Sequence, residues 1–302
     1  MALFLGIDGG QTKTACAVGD EQCVLGRGEA SGSNVVRVGA KSAREALRHA
    51  VRETCARAGI DPKKVSRVVA GISGAARRDI AEVVRGALTD LTPAPVQVVG
   101  DMVIALHAAF GDGPGVVVIA GTGSIAYARG KGGETARAGG WGWAISDEGA
   151  AHWIGRQAVG AVFSCRDADV ATSLGNRILA AWKLASLDQL VVTSNAVPVA
   201  DFASLLKQVV AAANEGDAVA ARILQDASSE LIRLAKTAAS RVLPSQGPVH
   251  VAMAGGVFAH AAQVREAFSR TLATELPDAT LRPDVVEPVL GALALARQGV
   301  SK

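Results

Sequence analysis

The stretch Gly6-Ile-Asp-Gly-Gly-Gln-Thr-Lys-Thr14 constrains the fold more than any other part of this chain. An apolar run over residues 3–7 leads into Asp8, and a second apolar run over residues 15–18 follows the turn. Apolar runs on both sides of two glycines predict a strand, a tight turn and a second strand. The turn is either a plain hairpin or a phosphate site, because glycines let the backbone approach a ligand and present N–H groups to anions.

Polar side chains of this turn favour the phosphate interpretation. Thr12 and Lys13 supply donors, and Asp8 at the strand end could hold a hydrated Mg²⁺ against phosphates. The turn is not a P-loop, because that motif needs Gly-x-x-x-x-Gly-Lys-Ser/Thr opening a helix, and this sequence occurs nowhere in the chain.

Strands alternate with helices in the first part of the chain, which predicts an α/β fold with parallel pairing. The densest cluster of turn residues, 111–115, predicts a boundary between domains 1–113 and 114–302. The predicted strands of the first domain after the turn cover residues 24–29, 65–72 and 96–99, and its predicted helices cover residues 42–57, 79–88 and 103–110.

The second domain repeats the opening motif. An apolar run over residues 116–120 enters Gly121-Thr-Gly-Ser124, and a third run, 249–253, ends in Ala254-Gly-Gly256. A long helical region over residues 148–242 lies between them, and a last helix is predicted over residues 288–297. Three strand-ending glycine turns are better explained by several phosphate or nucleoside contacts than by three unrelated hairpins.

Asp101 follows the predicted strand 96–99 and precedes a helix. Ligands of open α/β sheets bind beyond the carboxyl ends of strands, where a carboxylate can accept a proton from a substrate hydroxyl. Asp is also a favoured helix N-cap, so the residue alone does not decide between the two roles.

The segment Ala138-Gly-Gly-Trp-Gly-Trp-Ala-Ile-Ser-Asp-Glu-Gly149 combines glycines, two tryptophans and two carboxylates. Backbone groups, an aromatic face and a carboxylate together suit a polyhydroxylated ring such as a sugar. The alternative is a connection whose tryptophans pack in the core and whose residues 146–148 start a helix.

Composition excludes several classes of protein. A net charge of +3 without basic clusters argues against nucleic acid as a partner, and no apolar stretch is long enough for a membrane span. Four cysteines without metal-ligand spacing and an N-terminal apolar run interrupted by Asp8 predict a cytoplasmic protein without a signal peptide. The five histidines share no spacing that predicts a metal site or a catalytic triad.

Taken together, these motifs resemble the N-acetylglucosamine kinase and BadF/BadG-type ATPase family of the sugar kinase, Hsp70 and actin superfamily. The resemblance runs in order over nearly the whole chain, and its most specific part is the Gly/Trp segment with Trp153 and residues 157–159 after it. It implies two ribonuclease-H-like domains, with ATP and sugar in the cleft between them, and a homodimer.

The resemblance also assigns roles to residues. Asp101 matches the catalytic base, and sugar contacts would come from Asn34, Ser73, Asp101, Gly140, Trp141 and Asp147. The first phosphate turn would comprise Asp8, Gly9, Gly10, Thr12 and Lys13, with Asp8 near Mg²⁺; the second would comprise Gly121, Thr122 and Gly123; Gly255 and Gly256 would border the adenosine.

The sequence therefore predicts an ATP-dependent kinase of the 6-hydroxyl of an amino sugar, N-acetylglucosamine first and glucosamine as the alternative. A BadF-type ATPase activator would need cysteines for an interfacial iron–sulfur cluster, and no suitable pair is present. A sugar-responsive repressor would need a DNA-binding module, for which the first strand, starting at residue 3, leaves no room at the N-terminus.

Overall fold

The structure is a computed structural model that describes residues 2–196, 200–243 and 248–299. It divides into two compact units, Met1–Val117 with Val286–Lys302, and Val118–Val285. The described part of the chain contains no helix that is long and apolar enough to cross a membrane.

A five-stranded sheet of order β3-β2-β1-β4-β5 forms the first unit. Strands β1, β4 and β5 run parallel, whereas β2 pairs antiparallel with both β1 and β3. The strands are β1 (Phe4–Gly9), β2 (Lys13–Gly19), β3 (Val24–Ser31), β4 (Arg67–Ile72) and β5 (Val96–Gly100), and the helices are α1 (Val35–Arg57), α2 (Arg78–Thr89), α3 (Asp101–Phe110) and α11 (Pro288–Gln298).

Alternate residues of these strands pack into two different hydrophobic clusters, as strand geometry requires. Leu5 and Ile7 of β1 join the cluster that includes residues of α1 and α2. Phe4 joins the cluster that includes Ile104 of α3 and Leu293 of α11. Both faces of the sheet are therefore covered by helices, which explains why the central strands are continuously apolar.

A second five-stranded sheet, of order β10-β9-β6-β7-β8, forms the other unit. Its strands are β6 (Gly115–Ala120), β7 (Ser124–Arg129), β8 (Thr135–Gly139), β9 (Val249–Ala254) and β10 (Ala279–Val286). Its helices are α4 (Ala151–Asp167), α5 (Leu174–Trp182), α6 (Leu187–Ser194), α7 (Leu206–Asn214), α8 (Ala218–Val242), α9 (Gly256–His260) and α10 (Ala262–Glu275).

The predicted α/β class and the strand, glycine turn, strand motif at the start of each half are confirmed. The division of the chain differs from the predicted one in two respects. The first break lies after Val117 and not after residue 113, and α11 lies in the first unit, because it packs on β1 and α3. Sequence order assigned this helix to residues 114–302, since nothing in an apolar helix specifies which sheet it covers.

Candidate active site

Three polar residues of the first unit follow neighbouring parallel strands. Asp8 lies near the end of β1, Ser73 directly follows β4, and Asp101 directly follows β5. The Ser73 backbone N–H donates to the Gly9 carbonyl at 2.9 Å, and its hydroxyl donates to the Asp101 carboxylate. The carboxyl edge of the sheet thus gathers two carboxylates and a hydroxyl, as expected for a ligand site in this kind of sheet.

The two carboxylates influence each other. Burial, and then the charge of Asp101, raise the pKa of Asp8 to about 7, although the Lys13 ammonium opposes this shift. Burial also raises the pKa of Asp101, while hydrogen bonds from the Met102 backbone N–H and the Ser73 hydroxyl oppose it. Such a pair stabilises a bound cation or a captured proton, because either one relieves the repulsion.

Asp101 does not act as the N-cap of α3. The N-cap position is Gly100, and Asp101 is the first residue inside the helix, with its carboxylate accepting from the Met102 N–H at 3.0 Å. The predicted helix at residues 103–110 therefore begins two residues earlier. The side chain is half-buried, so part of it remains accessible at the sheet edge.

The first glycine turn is held by backbone hydrogen bonds. The Gly10 N–H donates to the Lys13 carbonyl at 2.9 Å, and the Gly10 carbonyl accepts from Ser33 and Asn34. The Lys13 ammonium pairs with Glu29 on the neighbouring strand at 2.8 Å, and Thr12 is exposed.

Asn34 is the N-cap of α1. Its side-chain oxygen accepts from the Arg37 backbone N–H at 3.2 Å, which leaves its amide N–H₂ to donate elsewhere. The sequence predicted this helix only from Ser42, because Gly39 interrupts it with a positive φ of 79°.

The second glycine turn, residues 121–123, is fastened to the start of α4. The Gly121 carbonyl accepts from the Ala151 N–H at 2.9 Å, and the Thr122 carbonyl accepts from the His152 N–H at 3.3 Å. Two first-turn N–H groups of the helix thus find acceptors in the turn, which fixes the turn to a rigid element.

Asp147 is buried and joins this turn to the Gly/Trp loop, which we define as residues 140–146. Its carboxylate accepts from the Ser124 N–H at 3.3 Å and from the Gly142 N–H. Burial raises the pKa of Asp147. The alternative that residues 146–148 start a helix is wrong, since α4 begins at Ala151 and Asp147 has a positive φ of 70°.

The Gly/Trp loop carries exposed apolar side chains. Trp141 is 63% exposed, and the Arg137 guanidinium lies 3.8 Å from the centre of its ring. Ile145 is 80% exposed, and Gly140 has a positive φ of 71°. The alternative that both tryptophans pack in the core is wrong, because both rings are exposed.

Four glycines of the predicted nucleotide turns in the second unit fall into two groups. A methyl group at Gly255 would overlap the Ala120 carbonyl oxygen, and one at Gly123 would lie 2.7 Å from an Asp147 carboxylate oxygen. A methyl group at Gly121 or Gly256 would meet nothing closer than 3.9 and 3.8 Å, respectively. The fold therefore needs the first pair as glycine, whereas at the second pair it leaves room for a methyl group.

A profile of the BadF/BadG/BcrA/BcrD ATPase family matches residues 5–296, nearly the whole chain. The chain belongs to this family. The resemblance predicted from its motifs is confirmed.

Two relatives of this chain are named as kinases. An N-acetylmuramic acid/N-acetylglucosamine kinase of Clostridium acetobutylicum is 30% identical over 302 residues, covering 98% of this chain and 99% of the relative. An N-acetyl-D-glucosamine kinase of Dictyostelium discoideum is 27% identical over 310 residues, covering 97% of each.

A solved structure supports the fold. A protein of Chromobacterium violaceum, provisionally named an N-acetylglucosamine kinase, superposes with a TM-score of 0.80 at 24% identity. The alignment covers 98% of this chain and 99% of that one. The actin-like ATPase fold predicted from the sequence is thereby confirmed.

An ATPase of this family needs groups for phosphates and a metal, and the residues fit both. The open backbone at Gly121 and Gly256 can receive a ligand without rearrangement. The described residues contain no cluster of three or more metal-ligating side chains. Asp8 suits Mg²⁺ nonetheless, because proteins commonly bind that ion through one or two carboxylates and the substrate phosphates.

Two residues of this site were not predicted from the sequence. Arg137 stacks on Trp141, and His152 contacts Trp143 with its ring and Thr122 with its backbone. Neither carries a motif of its own. The signal for His152 was its position in the segment that follows the Gly/Trp loop.

Proposed function

We propose that this protein is an ATP-dependent kinase that phosphorylates the 6-hydroxyl of an amino sugar, with N-acetylglucosamine as the substrate. The observation that carries the proposal is Asp101, a half-buried carboxylate at the sheet edge that is oriented by Ser73 and faces the charge of Asp8. A carboxylate so placed accepts the proton of an attacking hydroxyl. The kinase names of two full-length relatives support the same reaction.

The remaining polar groups divide between the two substrates. Mg²⁺, when bound near Asp8, offsets the charge on the phosphates. The triphosphate lies against the two turns, which comprise Gly9, Gly10, Thr12 and Lys13 in one unit and Gly121, Thr122 and Gly123 in the other. The side chains of Thr12, Lys13 and Thr122 are the donors that hold it. Gly255 and Gly256 border the adenosine.

Sugar recognition falls to groups of complementary chemistry. The Asn34 amide donates, the Asp147 carboxylate accepts, and Trp141 with Gly140 offers an apolar face and bare backbone. Ser73 acts on the sugar through Asp101, to which its hydroxyl already donates. Glucosamine remains the alternative substrate, and homodimer formation and a cytoplasmic location remain predictions.

Cysteine chemistry favours a kinase over a dehydratase activator. Three of the four cysteines are buried, and burial raises the pKa of Cys16 to about 12 and that of Cys55 to about 11. Only Cys23 is exposed. Iron–sulfur clusters need several thiolates, so a cluster shared between two copies of this chain lacks ligands.

A coupled assay of ADP release tests the proposed function. Purified protein is given ATP and Mg²⁺ with N-acetylglucosamine, glucosamine, glucose or N-acetylmannosamine. We expect ADP release to depend on the sugar and kcat/KM to be highest for N-acetylglucosamine. Equal ADP release with and without every sugar would refute the kinase.

Thr122→Val is expected to raise the KM for ATP about tenfold or more, because one hydrogen bond to a charged group is worth about 1.5–3 kcal/mol. Its KM for the sugar should stay within about twofold. Thr122→Ser, which keeps the hydroxyl, is the control and should behave like the wild type. The Thr122 carbonyl contact to His152 is unaffected by either change. Unchanged ATP kinetics in the Val variant would make the turn purely structural.

Gly121→Ala and Gly256→Ala are expected to fold normally and to bind ATP more weakly. A methyl group pressed against a ligand costs about 1–3 kcal/mol, as in an overpacked core, so the KM for ATP should rise about 5- to 150-fold. Gly255→Ala is the matched control: its φ of 96° and the nearby Ala120 carbonyl predict a clear loss of thermal stability. Normal ATP kinetics in both open-glycine variants would show that no nucleotide approaches these positions.

A further inference from the structure

His152 contacts both parts of the site in the second unit, the second glycine turn and the Gly/Trp loop. It lies in the first turn of α4, with its side chain only 4% exposed. Its backbone N–H donates to the Thr122 carbonyl in the second glycine turn. Its ring packs against Trp143 of the Gly/Trp loop, with 5.4 Å between ring centres.

On its other side, the His152 ring contacts the helical part of the second unit. The rings of His152 and Phe202 meet edge to face, with centres 5.2 Å apart, and Phe202 meets Trp182 in the same way at 5.5 Å. Phe202 is 5% exposed, whereas Trp143 is 43% exposed. The series of ring contacts therefore runs from the exposed Trp143 through His152 to the buried Phe202.

The Gly/Trp loop needs such an anchor. Trp141 and Ile145 are largely exposed and bury little area, and Gly140 and Gly142 both have positive φ. A segment with few buried apolar contacts and two glycines opens easily. The Trp143 ring against His152 and the Gly142 N–H on Asp147 tie this loop to the body of the unit.

We propose that His152 is a positioning residue: through Trp143 it holds the Gly/Trp loop in the conformation that binds the sugar, in register with the phosphate turn. The kinetic test of this proposal, the KM for the sugar, rests on the proposed function. The structural test, the order of the Gly/Trp loop, does not. An aromatic pair adds stability beyond the area it buries, equivalent to about a two- to tenfold change in an equilibrium constant.

The test compares His152→Leu, which removes the ring, with His152→Phe, which keeps it. We expect His152→Leu to raise the KM for the sugar about two- to tenfold, with kcat and the KM for ATP unchanged, and His152→Phe to restore most of the loss. Trp143→Ala should have a similar effect, and the double variant should be no worse than the worse single one. Phe268→Leu is the control, because Phe268 belongs to a different buried aromatic pair of the same unit; it is expected to lower the melting temperature without changing the KM for the sugar.

Limited proteolysis with chymotrypsin measures how well the Gly/Trp loop is ordered, and it requires no kinase activity. Cleavage after Trp141 or Trp143, identified by mass spectrometry, should be faster in His152→Leu than in the wild type, His152→Phe or Phe268→Leu. Equal cleavage rates, additive kinetic effects, or an equal rise in sugar KM for Phe268→Leu would overturn the positioning role. Failure of the kinase proposal would show separately, as absent sugar-dependent ADP release in the wild type.

Discussion

Asp101→Asn is expected to lower kcat about 10²- to 10⁴-fold, the usual contribution of a general base. The amide cannot take the proton of the sugar hydroxyl. Its oxygen can still accept one of the hydrogen bonds from the Met102 N–H and the Ser73 hydroxyl, so the fold should persist. The dissociation constant for ATP, measured by calorimetry, should change less than about threefold, far below the loss in turnover.

Asp79→Asn provides a matched control for this loss. Asp79 also lies in the first turn of a helix in the same unit, but it is exposed and pairs with Arg77 at 2.7 Å. Its replacement should leave turnover unchanged. If Asp101→Asn keeps more than roughly a tenth of wild-type turnover, the base lies elsewhere.

Asp147→Asn is expected to raise the KM for the sugar by about one to two orders of magnitude, as for the loss of a charged hydrogen bond. The amide puts a donor where the carboxylate had an acceptor. Asn tolerates the positive φ of this position, so the variant should lose only a few degrees of melting temperature, about 2–4 °C per kcal/mol. The KM for ATP should hardly move.

A loop-positioning role for Asp147 would also raise the KM for the sugar, because the carboxylate accepts from Gly142. Singly deoxygenated N-acetylglucosamine analogues separate the two explanations. Direct contact predicts one analogue for which the wild type and the Asn variant have equal KM values. If the ratio of the two KM values is the same for every analogue, Asp147 makes no sugar contact.

The central strands and the glycine turns could be predicted because each leaves a strong local pattern. Continuous apolar runs identified β1, β4, β6 and β9 within a few residues. The missed strands were β8 and β10, which both lie at sheet edges. Edge strands tolerate polar residues and proline, as Pro283 in β10 shows, so their sequences lack the apolar signature.

Residue contacts across the chain were harder to predict than residue types. Asp8 and Asp101 could each be predicted at the carboxyl end of a strand, whereas Ser73 was assigned to the site only by the family resemblance. The hydrogen bond from Ser73 to Asp101, however, depends on side-chain directions that no spacing encodes. The same holds for Asp147, whose left-handed backbone and partners at Ser124 and Gly142 replaced a predicted helix start.

Phosphorus NMR of one complete reaction tests the proposed chemistry most directly. Wild-type protein is incubated with ATP, Mg²⁺ and N-acetylglucosamine, and the ³¹P spectrum is followed without proton decoupling. We expect ADP and a sugar phosphate in equal amounts. The phosphorus signal of the sugar phosphate should be split into a triplet by the two protons on carbon 6. Inorganic phosphate in place of the sugar phosphate, or a doublet from a phosphate on a ring carbon, would contradict it.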